Sequence, residues 1–185
     1  MNVYDFDKTI FYPDSSCCFI LYCLKKHPGK VLPALLGAVP MVFGGYTQRM
    51  KEQFFSFLPR LSDRDELVRS FWAENEHRIA QWYRERRRRT DVIISASPEF
   101  FLRPIAEKLG VALIATRMDG SSGKIHGLNC HDEEKVRRFR AAYGEARIEE
   151  FYSDSSADTP MARLAERAFL VKKDRLLPWP TEREI

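Results

Sequence analysis

Cysteine is scarce in this 185-residue chain: Cys17, Cys18, Cys23 and Cys130 form no Cys-x-x-Cys pair. That spacing argues against a zinc site, and adjacent Cys17 and Cys18 could bridge each other only with strain, so reduced thiols are expected. Charge excess is also missing. Thirty Lys+Arg against 26 Asp+Glu leave +4, too thin a surplus over this length to mark a nucleic-acid binder. The opening MNVYDFDKTIF lacks a basic segment followed by an apolar run, so a cytoplasmic rather than exported protein is expected. No apolar run is long enough to span a bilayer: the longest, Val31 to Phe43, is broken by Pro33 and Pro40. Repeats and low-complexity linkers are absent too.

What is present is 44% hydrophobic residues, enough for one globular domain with an inserted lid. Short β-branched runs mark strands at Val3-Tyr4, Asp91–Ser95, Val111–Ala115, Ile148–Tyr152 and Ala168–Val171. Helical spacing fills Pro98–Leu109 up to Gly110, Asp132–Tyr143 up to Gly144, and Thr159–Arg167. This alternation predicts an α/β, Rossmann-like doubly wound parallel sheet with an inserted all-helical cap. Residues 1–13 and 90–185 form the expected core and residues 14–89 the expected cap. Within the cap, Ser62 and Asp65 suggest a capping box, and Val68, Phe71, Trp72, Ile79, Trp82 and Tyr83 recur as on one long amphipathic helix. An insertion leaving a strand's carboxyl end lies over the ligand crevice of an open α/β sheet.

Chemistry-bearing residues gather at those strand ends. Asp5-Phe6-Asp7-Lys8-Thr9 follows the first strand, Ser95 ends the next core strand, Lys135 lies near a helix start, and Asp154 and Asp158 follow a later strand within YSDSSADTP. Taken singly these are turn formers, helix caps and solvated residues. Together, on one face of a sheet, they form a set of acids, a hydroxyl and an ammonium.

In order, spacing and strand placement this set resembles the haloacid dehalogenase superfamily, and the helical insertion is similar to the cap of its phosphoserine-phosphatase-like branch. The resemblance implies a phosphomonoester hydrolase acting on a small phosphorylated metabolite. Asp5 would be the nucleophile forming an aspartyl-phosphate. Asp7 would be the acid and base. Thr9, Ser95, the Ala96 backbone N–H, Ser97 and Lys135 would hold the phosphate. Magnesium would sit on Asp5, the Asp7 carbonyl and Asp154, with Asp158 in support. Asp7 argues for a phosphatase, since the family's dehalogenases lack that second acid. Asp7-Lys8-Thr9 also resembles the phosphorylation motif of P-type ATPases, but Ile10 stands where that motif has glycine and the chain has no room for their membrane helices. The fourth motif departs from a glycine-rich GDGxND and looks more like bacterial relatives that include phosphatidylglycerophosphatases. A lipid phosphate met at a membrane surface is therefore the alternative substrate, and phosphate binding without turnover a remote one.

Three features bear on substrate. Val31 to Phe43 is expected to be the buried core of the cap, with lipid contact as the alternative. Arg84 to Arg89 is expected to be a solvated helix end that complements the helix dipole, with anionic headgroups as the alternative partner. Asp14 either reads a substrate amine, as the resemblance implies, or caps a helix beginning at Ser15.

Overall fold

The computed structural model describes residues 1–40, 48–173 and 175–180. Its centre is β1 (Asn2–Tyr4), whose three residues are all buried. It is flanked in parallel by β2 (Val92–Pro98) and β4 (Ile148–Ser153), with Val3 opposite Val92 on one side and Phe151 on the other. With β3 (Ala112–Thr116), β5 (Ala165–Lys172) and β6 (Arg175–Pro178) the order is β3-β2-β1-β4-β5-β6, antiparallel only between β5 and β6. Chain order reverses at β1, so the carboxyl ends of β1 and β4 border the topological switch point where such sheets bind ligands.

Strand alternation divides the core. Val3, Val92, Ile94, Ile148 and Phe151 face a cluster completed by Phe139 of the helix Glu133–Tyr143 and Met161 of the short helix Thr159–Ala162. Tyr4, Ile93 and Tyr152 face the other way into a larger cluster shared with the helices between β1 and β2. Those helices are α1 (Ser15–Lys26), α2 (Pro28–Ala38), α3 (Gln48–Phe54), α4 (Arg64–Asn75) and α5 (Gln81–Arg86). They are followed by α6 (Glu99–Leu109), α7 (Glu133–Tyr143) and α8 (Thr159–Ala162). Aromatic rings join insertion to core: Phe19 of α1 stacks on Phe101 of α6 at 4.6 Å, and the Trp72 indole of α4 donates to the Phe101 carbonyl at 2.7 Å. Gly123 has φ +73°, and a Cβ there would lie 2.5 Å from the Phe55 carbonyl oxygen, so this turn needs glycine to approach the insertion.

Several expectations are corrected. The single long helix over Val68 to Tyr83 is two helices, because Ile79 forms an antiparallel bridge with Phe11 and the Ala80 N–H donates to the Ile10 carbonyl. Trp82 and Tyr83 beyond the break pack on Tyr4 and Tyr152 of the sheet. Ser62 and Asp65 form no capping box: Asp63 precedes α4, and Asp65 accepts from Arg64 instead. The Thr159–Arg167 helix stops at Ala162, since β5 begins at Ala165 paired with Ile148. β6 had no sequence signal strong enough to be expected. Of the Val31–Phe43 stretch, the described part, residues 31–40, is only half buried. Val31, Ala34 and Ala38 are in the core, whereas Leu32, Leu36 and Val39 are exposed, and Met41 to Phe43 lie outside the described residues. From the arginine run, the Arg84 guanidinium donates to the Ile79 carbonyl, Arg87 to the Leu109 carbonyl, and Arg88 to Glu149.

Candidate active site

Asp5 is the first residue beyond β1, held there by its N–H donating to the Tyr152 carbonyl of β4 at 2.8 Å. The chain then reverses sharply. The N–H groups of Thr9, Ile10 and Phe11 all donate to the Phe6 carbonyl, and Lys8 adopts a left-handed φ of 58°. This turn places both acids on one cavity of about 330 Å³, which Ser95, Ala96, Ser97, Lys135, Asp154 and Asp158 also line.

Lys135, at the start of α7, reaches Asp5 Oδ1 at 2.6 Å and Asp158 Oδ2 at 2.7 Å, all three side chains being buried. Burial pulls the Lys135 pKa down, but the carboxylates of Asp5 and Asp158 outweigh it and hold it above its ordinary value. Burial pushes Asp5 up to about 7 against the pull of Lys135. Asp7 is pushed up to about 6, first by burial and then by Asp14. Its oxygens are fixed by the Ser15 N–H at 2.6 Å and the Ser97 hydroxyl at 2.5 Å, and Ser97 in turn pairs with Ser16 at 2.7 Å.

Three expected site residues carry structural duties in this geometry. Thr9 links two acids: its hydroxyl donates to Asp5 Oδ2 at 3.2 Å and accepts from the Asp154 N–H at 2.9 Å. Asp158 is turned onto Lys135 and the Ser153 hydroxyl, the latter at 2.7 Å. Ser95 Oγ accepts from the Ser97 N–H at 3.0 Å, where β2 shifts register beside the site, as strands often do near functional residues. Of its two expected roles, Asp14 takes that of the helix cap. It caps α1 through the Cys17 N–H at 2.8 Å and also borders the cavity.

Sequence reasoning missed Lys51. Carried by α3 and only 3% exposed, it borders the cavity and donates to the Ala96 carbonyl at 2.6 Å and Asn129 Oδ1 at 2.8 Å. Thr116 braces the same two acceptors at 2.6 and 2.8 Å. Nothing in the sequence separates Lys51 from the other 29 Lys and Arg residues.

Among the described residues no three His, Cys, Asp or Glu side chains are grouped to hold a metal ion, but the oxygen chemistry of the cavity suits a hard divalent cation held by two carboxylates and a backbone carbonyl. Five carboxylates on the cavity (Asp5, Asp7, Asp14, Asp154, Asp158) face three ammonium groups (Lys8, Lys51, Lys135). No hydrogen-bond donor among the described residues reaches the Asp154 carboxylate, and burial raises its pKa.

A haloacid dehalogenase-like hydrolase family model matches residues 3–163. Two curated relatives, both Protein CicA of Caulobacter vibrioides (strains NA1000 / CB15N and ATCC 19089 / CIP 103742 / CB 15), are 39% identical over 82 residues. That stretch is 40% of this chain and only 37% of theirs. A protein of unknown function from Bordetella pertussis Tohama I superposes with a TM-score of 0.74 at 19% identity, covering 92% of this chain and 88% of that one. A phosphoserine phosphohydrolase-like protein from Francisella tularensis subsp. tularensis SCHU S4 gives 0.59 at 15% identity, covering 94% and 90%. At those identities the two structures speak to fold alone, but the family model covers most of the chain. This chain belongs to the haloacid dehalogenase-like hydrolase family.

Proposed function

We propose that this chain is a magnesium-dependent phosphomonoester hydrolase that works through an aspartyl-phosphate on Asp5. The observation that carries this reading is the placement of two carboxyls, the buried Asp5 on the Lys135 ammonium and the partly buried Asp7 on neutral donors, around one small cavity. Burial raises the Asp5 carboxyl, and Lys135 pulls it back towards the ionised form that a nucleophile requires. Asp7, raised to about 6, is poised to carry a proton near neutral pH.

In the first half-reaction an Asp5 oxygen bonds to phosphorus, the ester P–O bond breaks, and the Asp7 carboxyl gives its proton to the departing alkoxide. In the second, Asp7 takes a proton from water as that water attacks phosphorus, releasing phosphate and restoring Asp5. Lys135 neutralises charge on Asp5 and the phosphoryl oxygens, and Ser95 with the Ala96 N–H borders the same space. Asp5, the Asp7 carbonyl and Asp154 would hold magnesium, whose charge offsets that of the phosphoryl oxygens. Both Asp7 oxygens are held tightly, by Ser15 at 2.6 Å and Ser97 at 2.5 Å, whereas Asp5 Oδ2 has only the 3.2 Å contact from Thr9, which favours Asp5 over Asp7 as nucleophile.

A cavity of about 330 Å³ is at the small end for ligand sites and suits a compact phosphorylated metabolite, with residues 14–89 as a lid over the core of 1–13 and 90–185. Four free thiols fit a reducing, cytoplasmic setting. A lipid phosphate is the second reading, favoured by the exposed leucines of α2. The test is hydrolysis of p-nitrophenyl phosphate with magnesium or with chelator. Turnover that needs magnesium and vanishes in Asp5→Asn is expected, and magnesium-independent turnover or an active Asp5→Asn overturns the reading.

A further inference from the structure

Helix α2 is apolar on both faces. Val31, Ala34 and Ala38 pack inward, while Leu32, Leu36 and Val39, spaced i, i+4, i+7 on the opposite face, are 47%, 61% and 55% exposed. These are three of the seven large hydrophobics exposed among the described residues, a cluster rather than the usual scatter. Val31 to Pro40 contains no polar side chain that could solvate the stripe. On α1, Leu21 is 55% exposed one helical turn before Lys25.

The charge that α1 and α2 themselves carry beside this stripe has one sign. Between Asp14 and Glu52 the chain has no acid, whereas Lys25, Lys26 and Lys30 flank the start of α2. Lys25 and Lys26 are exposed and Lys30 partly so. The acids that approach from α4 and its N-terminus are already engaged, Asp63 by His27 at 2.8 Å and Glu74 by Tyr22 at 3.0 Å.

From this juxtaposition we infer that the outer face of α2 docks in the plane of an anionic lipid bilayer, with Leu32, Leu36 and Val39 entering the acyl boundary and Lys25, Lys26 and Lys30 meeting headgroups. No helix of the described residues is long and apolar enough to cross a membrane, so the contact is peripheral. Such contacts hold when apolar burial and basic charge act together. A second copy of the chain suits the stripe less well. Three half-exposed side chains, one helix wide, fall far short of the ~800 Å² per partner of a stable dimer, and lysines would meet lysines. The same helix packs on α3 through Gln53, which donates to the Ala34 carbonyl at 3.2 Å, and α3 carries Lys51 to the cavity. Docking is thus one helix removed from the site, and the inference is independent of the catalytic reading.

The experiment is co-sedimentation of the full chain with vesicles of phosphatidylcholine alone or mixed with phosphatidylglycerol, at low and high salt. Binding to the mixed vesicles only, weakened by salt, is expected. Lys25→Gln, Lys26→Gln and Lys30→Gln should each lower partition roughly fivefold, and Leu32→Ser/Leu36→Ser should abolish it with p-nitrophenyl phosphate hydrolysis unchanged. Should that double variant fold poorly, Leu36→Trp gives a second readout, an emission blue shift on adding mixed vesicles. No sedimentation of the wild type, binding unaffected by the leucine changes, or a solution dimer that Leu36→Ser dissociates would each overturn the inference.

Discussion

Lys51 Nζ lies 2.8 Å from Asn129 Oδ1, joining insertion helix α3 to the loop ahead of α7 along the wall of the cavity. Burial lowers this ammonium to about 8 although Asp7 and Asp14 oppose the shift, so it is a cation kept at a cost on the wall of the cavity. Lys51→Met should lower kcat/KM for aryl phosphate by about 10–100-fold, the range for losing a charged hydrogen-bond donor. Unaltered steady-state kinetics would remove Lys51 from the site.

The contrast between Lys51 and Lys135 shows what the sequence makes legible. Lys135 could be found because a motif fixes it relative to Asp5 and because it starts a helix that periodicity reveals. Lys51 depends on where an inserted helix is packed, a tertiary fact with no local signature. The parallel core was legible for a related reason, since β-branched runs between capped helices encode it locally. The break after Arg78 was not, because Ile79 looks like one more apolar position of a helix until Phe11 is found pairing with it. The apolar run at Val31 gave its composition but not its burial, which is decided residue by residue by what packs on each face. At the site, the acids were identifiable by type, but the turning of Asp158 onto Lys135 and Ser153 follows from side-chain packing alone.

Gly123 tests how closely insertion and core approach. A methyl group there would meet the Phe55 carbonyl in a backbone conformation that L-residues rarely adopt. Gly123→Ala should therefore destabilise the fold by about 2 kcal/mol and lower the melting temperature by several degrees. An unchanged melting temperature would show that the loop and the insertion separate freely.

Glu134, the buried neighbour of Lys135, is held down to about 2 first by its hydrogen bond from Arg137 and further by Arg138, against burial. Arg138 also donates to the Ala115 and Leu128 carbonyls at 2.6 Å, tying α7 to β3. A carboxyl whose folded pKa is depressed contributes stability above its unfolded pKa and loses it as pH falls through the folded value. Glu134→Gln should cost about 1–2 kcal/mol at pH 7, discounted because Arg137 is largely exposed. Denaturant titrations should show that difference shrinking from about pH 4.5 towards pH 2. A difference independent of pH would mean that shape rather than charge is lost.

Asp154 is expected to act through magnesium. Its N–H is fixed by Thr9 and its carbonyl by Lys172 at 2.8 Å, so the loop should survive substitution of the carboxyl. Asp154→Asn should raise the magnesium concentration needed for half-maximal activity by about tenfold or more, with much of the turnover recovered at high magnesium. Normal magnesium binding with activity that no concentration restores would contradict this assignment.

Asp5 and Asp7 separate on leaving-group chemistry. p-Nitrophenolate departs without needing a proton, so phosphorylation of Asp5 from an aryl phosphate gains little from Asp7, whereas attack by water on the aspartyl-phosphate still requires a base. Asp7→Asn should thus slow the second half-reaction more than the first, lower steady-state turnover by about 10²–10⁴, and let phosphoenzyme accumulate. With an alkyl phosphate, whose alkoxide must be protonated, both halves slow and the trapped species should diminish. Asp5→Asn should trap nothing from either substrate. Rapid acid quench with radiolabelled substrate distinguishes these outcomes, and label retained by Asp5→Asn but lost from Asp7→Asn would reassign the nucleophile to Asp7.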